Sequence, residues 1–579
     1  MRALLLLPLL LLSSCTGGIS NAAAPSNGVV VSVSSDASNV GARILARGGN
    51  AVDAAVATAF ALAVTFPEAG NIGGGGFMLI HFPDGREPVV IDYREAAPAA
   101  VDANTFFKNA DRTAYRLVGV PGTVRGLALA HEKYGKLPWR DVVSPAIALA
   151  RDGFVVNRDL AGSLGRVWKD NPKNAELRRV FAPPDAGGPS HLWTEGDRLV
   201  QGDLARTLEV IAKGGADAFY TGPIADKIVA EMERGKGLLT RDDLAAYRPV
   251  VRAAIHGTFN GYDVYAPPPP SSGGVGLIEM LNLLEHVNLK SEARFSSATL
   301  HFMTEAMRRA YADRARYLGD MKSDSPILAE LTSKEYARRS DVAIRADKVT
   351  RSADLAPEIS IRNEPEHTTH FSVIDSTGLA VSNTYTLEQS FGGKIVVAGA
   401  GFLLNNELAD FNPQPGVTTK SGQIGSAANL PAAGNRPLSS MCPTIVTKDG
   451  KVVIVTGSPG GRTIINTVLC VLVNRLVYEM PPRECIDAPR HHHQWFPDQL
   501  EIEPGLAKEY SGAVKELRAM GVAIDPVPHR QGDAHSIFYD AGSKRWIGVA
   551  DRRRAGGGVG TVANELTWQA GVGHPLLSK

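Results

Sequence analysis

The sequence predicts a layered α/β/β/α sandwich, and three observations carry that prediction. An alanine-rich helical pair near the start runs straight into a strand hairpin. Strong helical runs occupy the middle of the chain. From Thr368 onward the texture turns to paired strands with helices between them. The 579 residues carry 61 basic and 60 acidic side chains, so overall electrostatics give no support for a nucleic-acid or anionic-membrane partner. Length alone suggests about four average domains, but large α/β units absorb more than the average.

The N-terminus differs in kind from the rest. Met1-Arg2 is a short positive region, and residues 3–12 are nearly pure leucine, too short to span a bilayer comfortably. Residues 1–24 therefore read as an export signal. Leu12-Ser13-Ser14-Cys15 resembles a bacterial lipoprotein signal, in which Cys15 is lipidated after cleavage. Asn21-Ala22-Ala23-Ala24 offers a competing cleavage site that would release a soluble protein. Either way the expected location is the periplasm, with a lipid anchor in the first case. Beyond the signal stand Cys442, Cys470 and Cys485, an odd count without zinc spacing that gives no disulfide framework.

Element by element, residues 37–47 and 51–64 have helical patterns, with Gly48-Gly49-Asn50 as a stop-and-restart signal. Asn71-Ile72-Gly73-Gly74-Gly75-Gly76 leads into a strand over 77–82, and Pro83-Asp84-Gly85 turns into a second strand over 89–92. The glycine run precedes a strand rather than a helix and lacks a Gly-Lys-Ser/Thr ending, so close backbone packing fits better than nucleotide binding. Pro267-Pro268-Pro269-Pro270-Ser271-Ser272-Gly273-Gly274 reads as a rigid loop inside one domain, because a helix over 275–284 follows at once. A further helix covers 300–318, where Asp313 and Arg314 read as a structural salt-bridge face. Residues 331–367 are polar, charged and irregular, suiting an exposed, cleavable segment. Strands are expected over 369–375 and 379–386, over 444–447 and 452–456 around Lys448-Asp449-Gly450, and over 536–539 and 546–550. Helices are expected over 463–478 and 510–520. His491-His492-His493 point different ways on a strand and lack companion ligands, so a structural or surface role is expected rather than a metal site.

Chemistry concentrates around Thr368. The abrupt change from Arg362-Asn363-Glu364-Pro365-Glu366-His367 to Thr368-Thr369-His370-Phe371-Ser372 is either an ordinary strand start or a hidden N-terminus. In the second case, breaking the bond before Thr368 would make its hydroxyl a nucleophile and its α-amine the base. Such an amine titrates at about 7.7–8.0, close to working pH. Gly457-Ser458-Pro459-Gly460-Gly461 lies between a strand and a helix, where backbone N–H groups form either an oxyanion hole or a plain turn. Three polar clusters are candidates for binding: Asp92-Tyr93-Arg94-Glu95, Glu407 with Asp410, and Ser439-Ser440. An arginine with two hydroxyls suits a carboxylate, and paired acids suit an ammonium group, although each cluster alone also fits a solvated loop or cap.

Together these segments resemble the γ-glutamyltransferase (γ-glutamyltranspeptidase) family of N-terminal-nucleophile hydrolases over nearly the whole exported chain. The resemblance implies a four-layer αββα sandwich and a precursor that cuts itself between His367 and Thr368. It implies a large subunit, 25–367, and a small subunit, 368–579, that stay associated as a heterodimer. By position, Thr368 matches the nucleophile, Thr386 the second threonine bonded to it, and Gly460 and Gly461 the oxyanion glycines. Arg94, Ser439 and Ser440 match the holders of the donor's α-carboxylate. Asp410 matches the acid that binds its α-amino group, with Glu407 assisting. No metal or organic cofactor is implied. The substrates would be a glutathione-like γ-glutamyl donor and water or an amino-acid or peptide amine.

Two departures qualify the match. Glu388 stands where the family often has Asn beside the donor, and a carboxylate there repels a substrate carboxylate unless it is turned elsewhere. The lid, 415–434, has Ser421 where some bacterial members carry a gating tyrosine, which suggests a more open site and more hydrolysis relative to transfer. Two rival readings remain: a cephalosporin-type (glutaryl) acylase, and a non-catalytic exported lipoprotein that binds amino acids or peptides.

Overall fold

The computed structural model describes residues 28–108, 112–183, 192–341, 344–355, 368–412, 414, 426–528 and 531–562. The export signal with Cys15, the His367 side of the expected cleavage point and Ser421 of the lid lie outside the described residues.

Two antiparallel sheets form the middle of the molecule. In the first the order is Gly558–Thr561, Val29–Ser32, Thr369–Ile374, Ala380–Thr386, Gly75–His81, Val89–Asp92, Val250–Ala253. In the second it is Arg545–Val549, Ser536–Asp540, Lys451–Thr456, Thr444–Lys448, Tyr262–Ala266, Ile255–Phe259. Strand periodicity divides the side chains of the first sheet between two cores. Val30, Met78, Ile80, Phe371 and Val373 face the helices Ser35–Ala46 and Ala51–Thr65, whereas Val29, Val31, Phe77, Leu79 and Ile374 pack in the core shared with the second sheet. Helices Gly273–Glu285, Ser297–Tyr317 and Thr463–Leu476 cover the far side of that second sheet. The result is the expected four-layer αββα sandwich.

Local sequence explains why these elements begin and meet where they do. Helix Ala51–Thr65 starts in a capping box, in which the Asn50 side chain accepts from the Val52 and Asp53 N–H groups and the Asp53 carboxylate accepts from the Asn50 N–H. Every residue of this alanine-rich helix is buried. The glycine run does serve close packing: a Cβ would lie 2.1 Å from the Leu403 carbonyl oxygen at Gly73 and 2.0 Å from that of Thr386 at Gly74. The proline-rich loop likewise stays inside the fold, with the Ser272 N–H donating to the Ser439 carbonyl at 2.8 Å.

Several elements differ from expectation. Val29–Ser32 and Gly558–Thr561 are four-residue strands; the first is buried throughout, so it lacks the alternation that marks a half-buried strand. Val250–Ala253, Ile255–Phe259 and Tyr262–Ala266 were also not anticipated. Inside the stretch read as irregular stand two short helices, Lys334–Asp341 and Ser352–Leu355. The first carries the i,i+3 ion pair Arg338–Glu335, and its Arg339 pairs with Glu330 of the preceding helix, where apolar periodicity is weak. His491, His492 and His493 are all buried, which removes the surface alternative. Cys442, Cys470 and Cys485 are buried free thiols. No helix among the described residues is long and apolar enough to cross a membrane.

The two sides of the Thr368 junction are interleaved. Thr369–Ile374 pairs with Val29–Ser32, and Ala380–Thr386 pairs with Gly75–His81. A chain broken before Thr368 would thus remain held by sheet hydrogen bonds and a shared core.

Candidate active site

Thr368 stands at the head of a central strand and is 7% exposed. Tyr385 pairs with Thr369, so the next step of the antiparallel register sets Thr386 opposite Thr368. The Thr386 hydroxyl accepts from the Glu388 N–H at 2.8 Å. The loop Gly457-Ser458-Pro459-Gly460-Gly461 leaves strand Lys451–Thr456 and enters helix Thr463–Leu476. Gly460 has φ 125° and Gly461 φ 56°, both in the region that favours glycine. Their carbonyls accept from the Thr463 N–H at 3.0 Å and the Ile464 N–H at 3.2 Å, tying the loop to the positive end of the helix dipole.

Arg94 follows strand Val89–Asp92 and is almost fully buried. One terminal nitrogen pairs with Glu407; the other donates to Asp410 Oδ2 at 2.6 Å and to the Leu438 carbonyl at 3.2 Å. Burial alone would lower the guanidinium pKa, but the charges of Glu407, Asp410 and Glu95 outweigh it and the net shift is upward. Glu407 and Asp410 share a short 3-10 turn. Asn405 clamps the start of that turn by donating to the Gly73 and Gly119 carbonyls, each at 2.9 Å.

Thr368, Thr386, Arg94, Glu388, Glu407, Asp410, Ser439, Ser440 and Gly461 all line one cleft, and Gly460 immediately precedes Gly461 in the loop. Free space within it is about 20 Å³, about enough for one water. A larger cleft of about 820 Å³ lies at the opposite end of the sandwich, beside the turns at Ser376, Gly450 and Ala541. It contains none of these residues, so chemistry rather than size locates the site.

Glu388 takes a left-handed backbone conformation, φ 77°, and its carboxylate accepts from Asn406 Nδ2 at 2.6 Å. The side chain is thus held by an amide; burial pushes the neighbouring Glu407 carboxyl up, and the charge of Glu388 adds to that push.

The structure gives two neighbours a part at the site that the sequence does not show. Arg314, read from the sequence as part of a structural face, instead points at the site: it donates to the Ser272 hydroxyl at 2.7 Å and to the Ser440 hydroxyl at 2.9 Å. Sixteen residues of its 21-residue helix are buried, so no apolar stripe reveals which face turns inward. Glu95 is fully buried beside Arg94 and Glu407. Burial pushes its carboxyl up from 4.5 to about 7 against the pull of Arg94. A carboxyl raised in the folded state stabilises the fold below its unfolded pKa and loses that contribution as pH rises through the folded value. From the raised Glu95, stability should fall between about pH 4.5 and pH 7. Thermal unfolding of Glu95→Gln should show a flatter slope over that window; an unchanged slope would refute the assignment. Among the described residues, no group of His, Cys, Asp or Glu is placed to hold a metal ion.

Comparison with known proteins identifies the family of the chain. A family profile described as Gamma-glutamyltranspeptidase matches residues 37–561. The glutathione hydrolase proenzyme of Escherichia coli (strain K12) is 45% identical over 518 residues, covering 88% of each chain. The glutathione hydrolase proenzyme of Pseudomonas aeruginosa is 40% identical over 551 residues, covering 93% of this chain and 95% of its own. Among solved structures, a cephalosporin acylase from Bacillus halodurans superposes with a TM-score of 0.82 at 25% identity, covering 96% of this chain and 99% of its own. The γ-glutamyltranspeptidase of Helicobacter pylori gives a TM-score of 0.52 at 39% identity, with 55% of this chain and 92% of that chain covered. The chain described here belongs to the γ-glutamyltranspeptidase family.

Proposed function

We propose that this protein is an exported, self-processing γ-glutamyl amidase and acyltransferase acting on glutathione or related donors. The carrying observation is that Thr368 shares one cleft with a buried arginine, two serines and several carboxylates. Such a set matches a γ-glutamyl group, whose reacting carbonyl sits a few bonds from an amino-acid zwitterion. Arg94 is paired with both Glu407 and Asp410 in the free site. A donor exchanges those pairings without a net change in buried charge: its α-carboxylate takes Arg94 with Ser439 and Ser440, and its ammonium takes Asp410 with Glu407 and Glu388.

Chemistry then follows from Thr368. In the precursor its hydroxyl attacks the His367 carbonyl, giving an ester that water opens to leave 25–367 and 368–579 associated. The freed α-amine accepts the hydroxyl proton as Thr368 attacks the γ-glutamyl carbonyl, while Thr386 orients the nucleophile. Gly460 and Gly461 N–H groups hold the oxyanion. Collapse expels the amine with the proton it needs, and water or an amino-acid or peptide amine releases the acyl group. The name proenzyme borne by the Escherichia coli and Pseudomonas aeruginosa relatives supports the processing step. Export rests on residues 1–24, with Cys15 as the lipidation point or cleavage near Ala24 as the soluble outcome.

A glutaryl acylase would need no ammonium site, and the acidic side of this cleft argues against it. Initial rates with a γ-glutamyl anilide and a glutaryl anilide test the reading. The γ-glutamyl compound should be preferred by at least about a hundredfold, because glutaryl leaves buried acids without a partner. Comparable rates would favour the acylase, and no turnover of either would favour a binding lipoprotein.

A further inference from the structure

One buried histidine lies where the nucleophile's strand, its partner strand and the oxyanion loop meet. Thr368, His370 and Ser372 fall on one face of their strand, and Ser382, Thr384 and Thr386 fall on the same face of the next. His370 pairs with Thr384 and Ser372 with Ser382, so a polar row runs inward from the Thr368–Thr386 position between two otherwise apolar sheets. His370 is fully buried. Its Nδ1 lies 2.9 Å from the Thr384 hydroxyl and its Nε2 3.1 Å from the Ser372 hydroxyl.

These contacts set the direction of the hydrogen bonds. Ser372 donates to the His535 carbonyl at 2.8 Å, so it accepts from His370 Nε2–H, and Nδ1 accepts from Thr384. Burial, with His535 nearby, lowers the imidazole pKa well below its ordinary value, so the ring stays neutral at working pH. The ring lies flat against the first residue of the oxyanion loop. A Cβ on Gly457 would come within 2.4 Å of both His370 Cε1 and Nδ1. Ser382 completes the seam by donating to the Thr456 carbonyl at 2.8 Å, immediately before that loop.

We infer that His370 is a positioning residue: its ring is a strut that sets the distance between the Thr368 nucleophile, Thr386 and the Gly457–Gly461 loop. This inference rests on Thr368 as the nucleophile. A strut explains why a side chain two residues from the reacting hydroxyl has both ring nitrogens engaged. It also explains why the loop must begin with a residue lacking a side chain. Proton transfer is left to the α-amine of Thr368.

The test is a double-mutant cycle of His370→Ala and Gly457→Ala, with His370→Gln as the conservative variant, on chains checked for folding by Tm. His370→Ala should lower kcat about 10- to 100-fold with KM within about twofold, and should slow self-processing in parallel. His370→Gln, which keeps a donor and an acceptor, should recover part of kcat. Gly457→Ala should cost much less in the His370→Ala background than alone, because the ring it strikes is gone. The limbs of the kcat–pH profile should not move. Unchanged kcat, a loss confined to KM, additive effects in the cycle or a displaced pH limb would each overturn the strut. If Thr368→Ala retained turnover, the nucleophile itself would be wrong, a failure separable from that of His370. Should His370→Ala not fold, Gly457→Ala with and without His370→Gln gives the same cycle.

Discussion

Replacing Thr368 by Ala is expected to leave a folded, full-length chain that turns over γ-glutamyl anilide at least about a thousandfold more slowly than the wild type. Both effects have one origin, since the hydroxyl that cuts the chain also attacks the substrate. The fold should survive because Thr368 precedes its strand and the removed atoms contribute little core: the strand that follows keeps partners on both sides. Thr368→Ser, which keeps a hydroxyl, should process and retain measurable activity. Gel electrophoresis and initial rates check both variants. Normal processing by Thr368→Ala would show that another group breaks the chain.

Removing Arg94 should have the second-largest effect, and it should appear in binding and stability together. In Arg94→Met, Glu407, Asp410 and Glu95 lose the cation that they surround. Uncompensated buried carboxylates cost about 3–5 kcal/mol, less where they can take up protons, so the loss of Tm should be greater at pH 8 than at pH 5. Donor KM should rise about 10- to 100-fold, the scale of a lost charged hydrogen bond to the α-carboxylate. Arg94→Lys keeps the charge without the planar fork and should recover more stability than affinity. Wild-type KM in Arg94→Met would remove Arg94 from the donor site.

Much of this molecule was legible before its structure because its signals are local. The helix restart at Asn50, the hairpin turn at Asp449 and the change of texture at Thr368 each depend on a few adjacent residues. Arg94, Glu407, Asp410, Ser439 and Ser440 were recognisable from short motifs, and their convergence on one cleft came from the family resemblance. What stayed hidden depends on distant partners. Arg314 could be placed only by knowing which side of a largely buried helix meets Ser440. Glu95 acquires its raised pKa from burial in the assembled fold, which no short motif reveals. Val29–Ser32 looked unlike a strand because both of its faces are covered. Glu388 looked like an electrostatic conflict until Asn406 was seen to hold its carboxylate.

The central claim is that the chain breaks itself before Thr368 to create the nucleophile. Intact-mass spectrometry of the purified wild-type protein from an exporting host tests it most directly. Two co-purifying chains are predicted, one ending at His367 and the other beginning with Thr368. A single full-length chain that turns over substrate, or a new N-terminus at any other residue, would contradict the account.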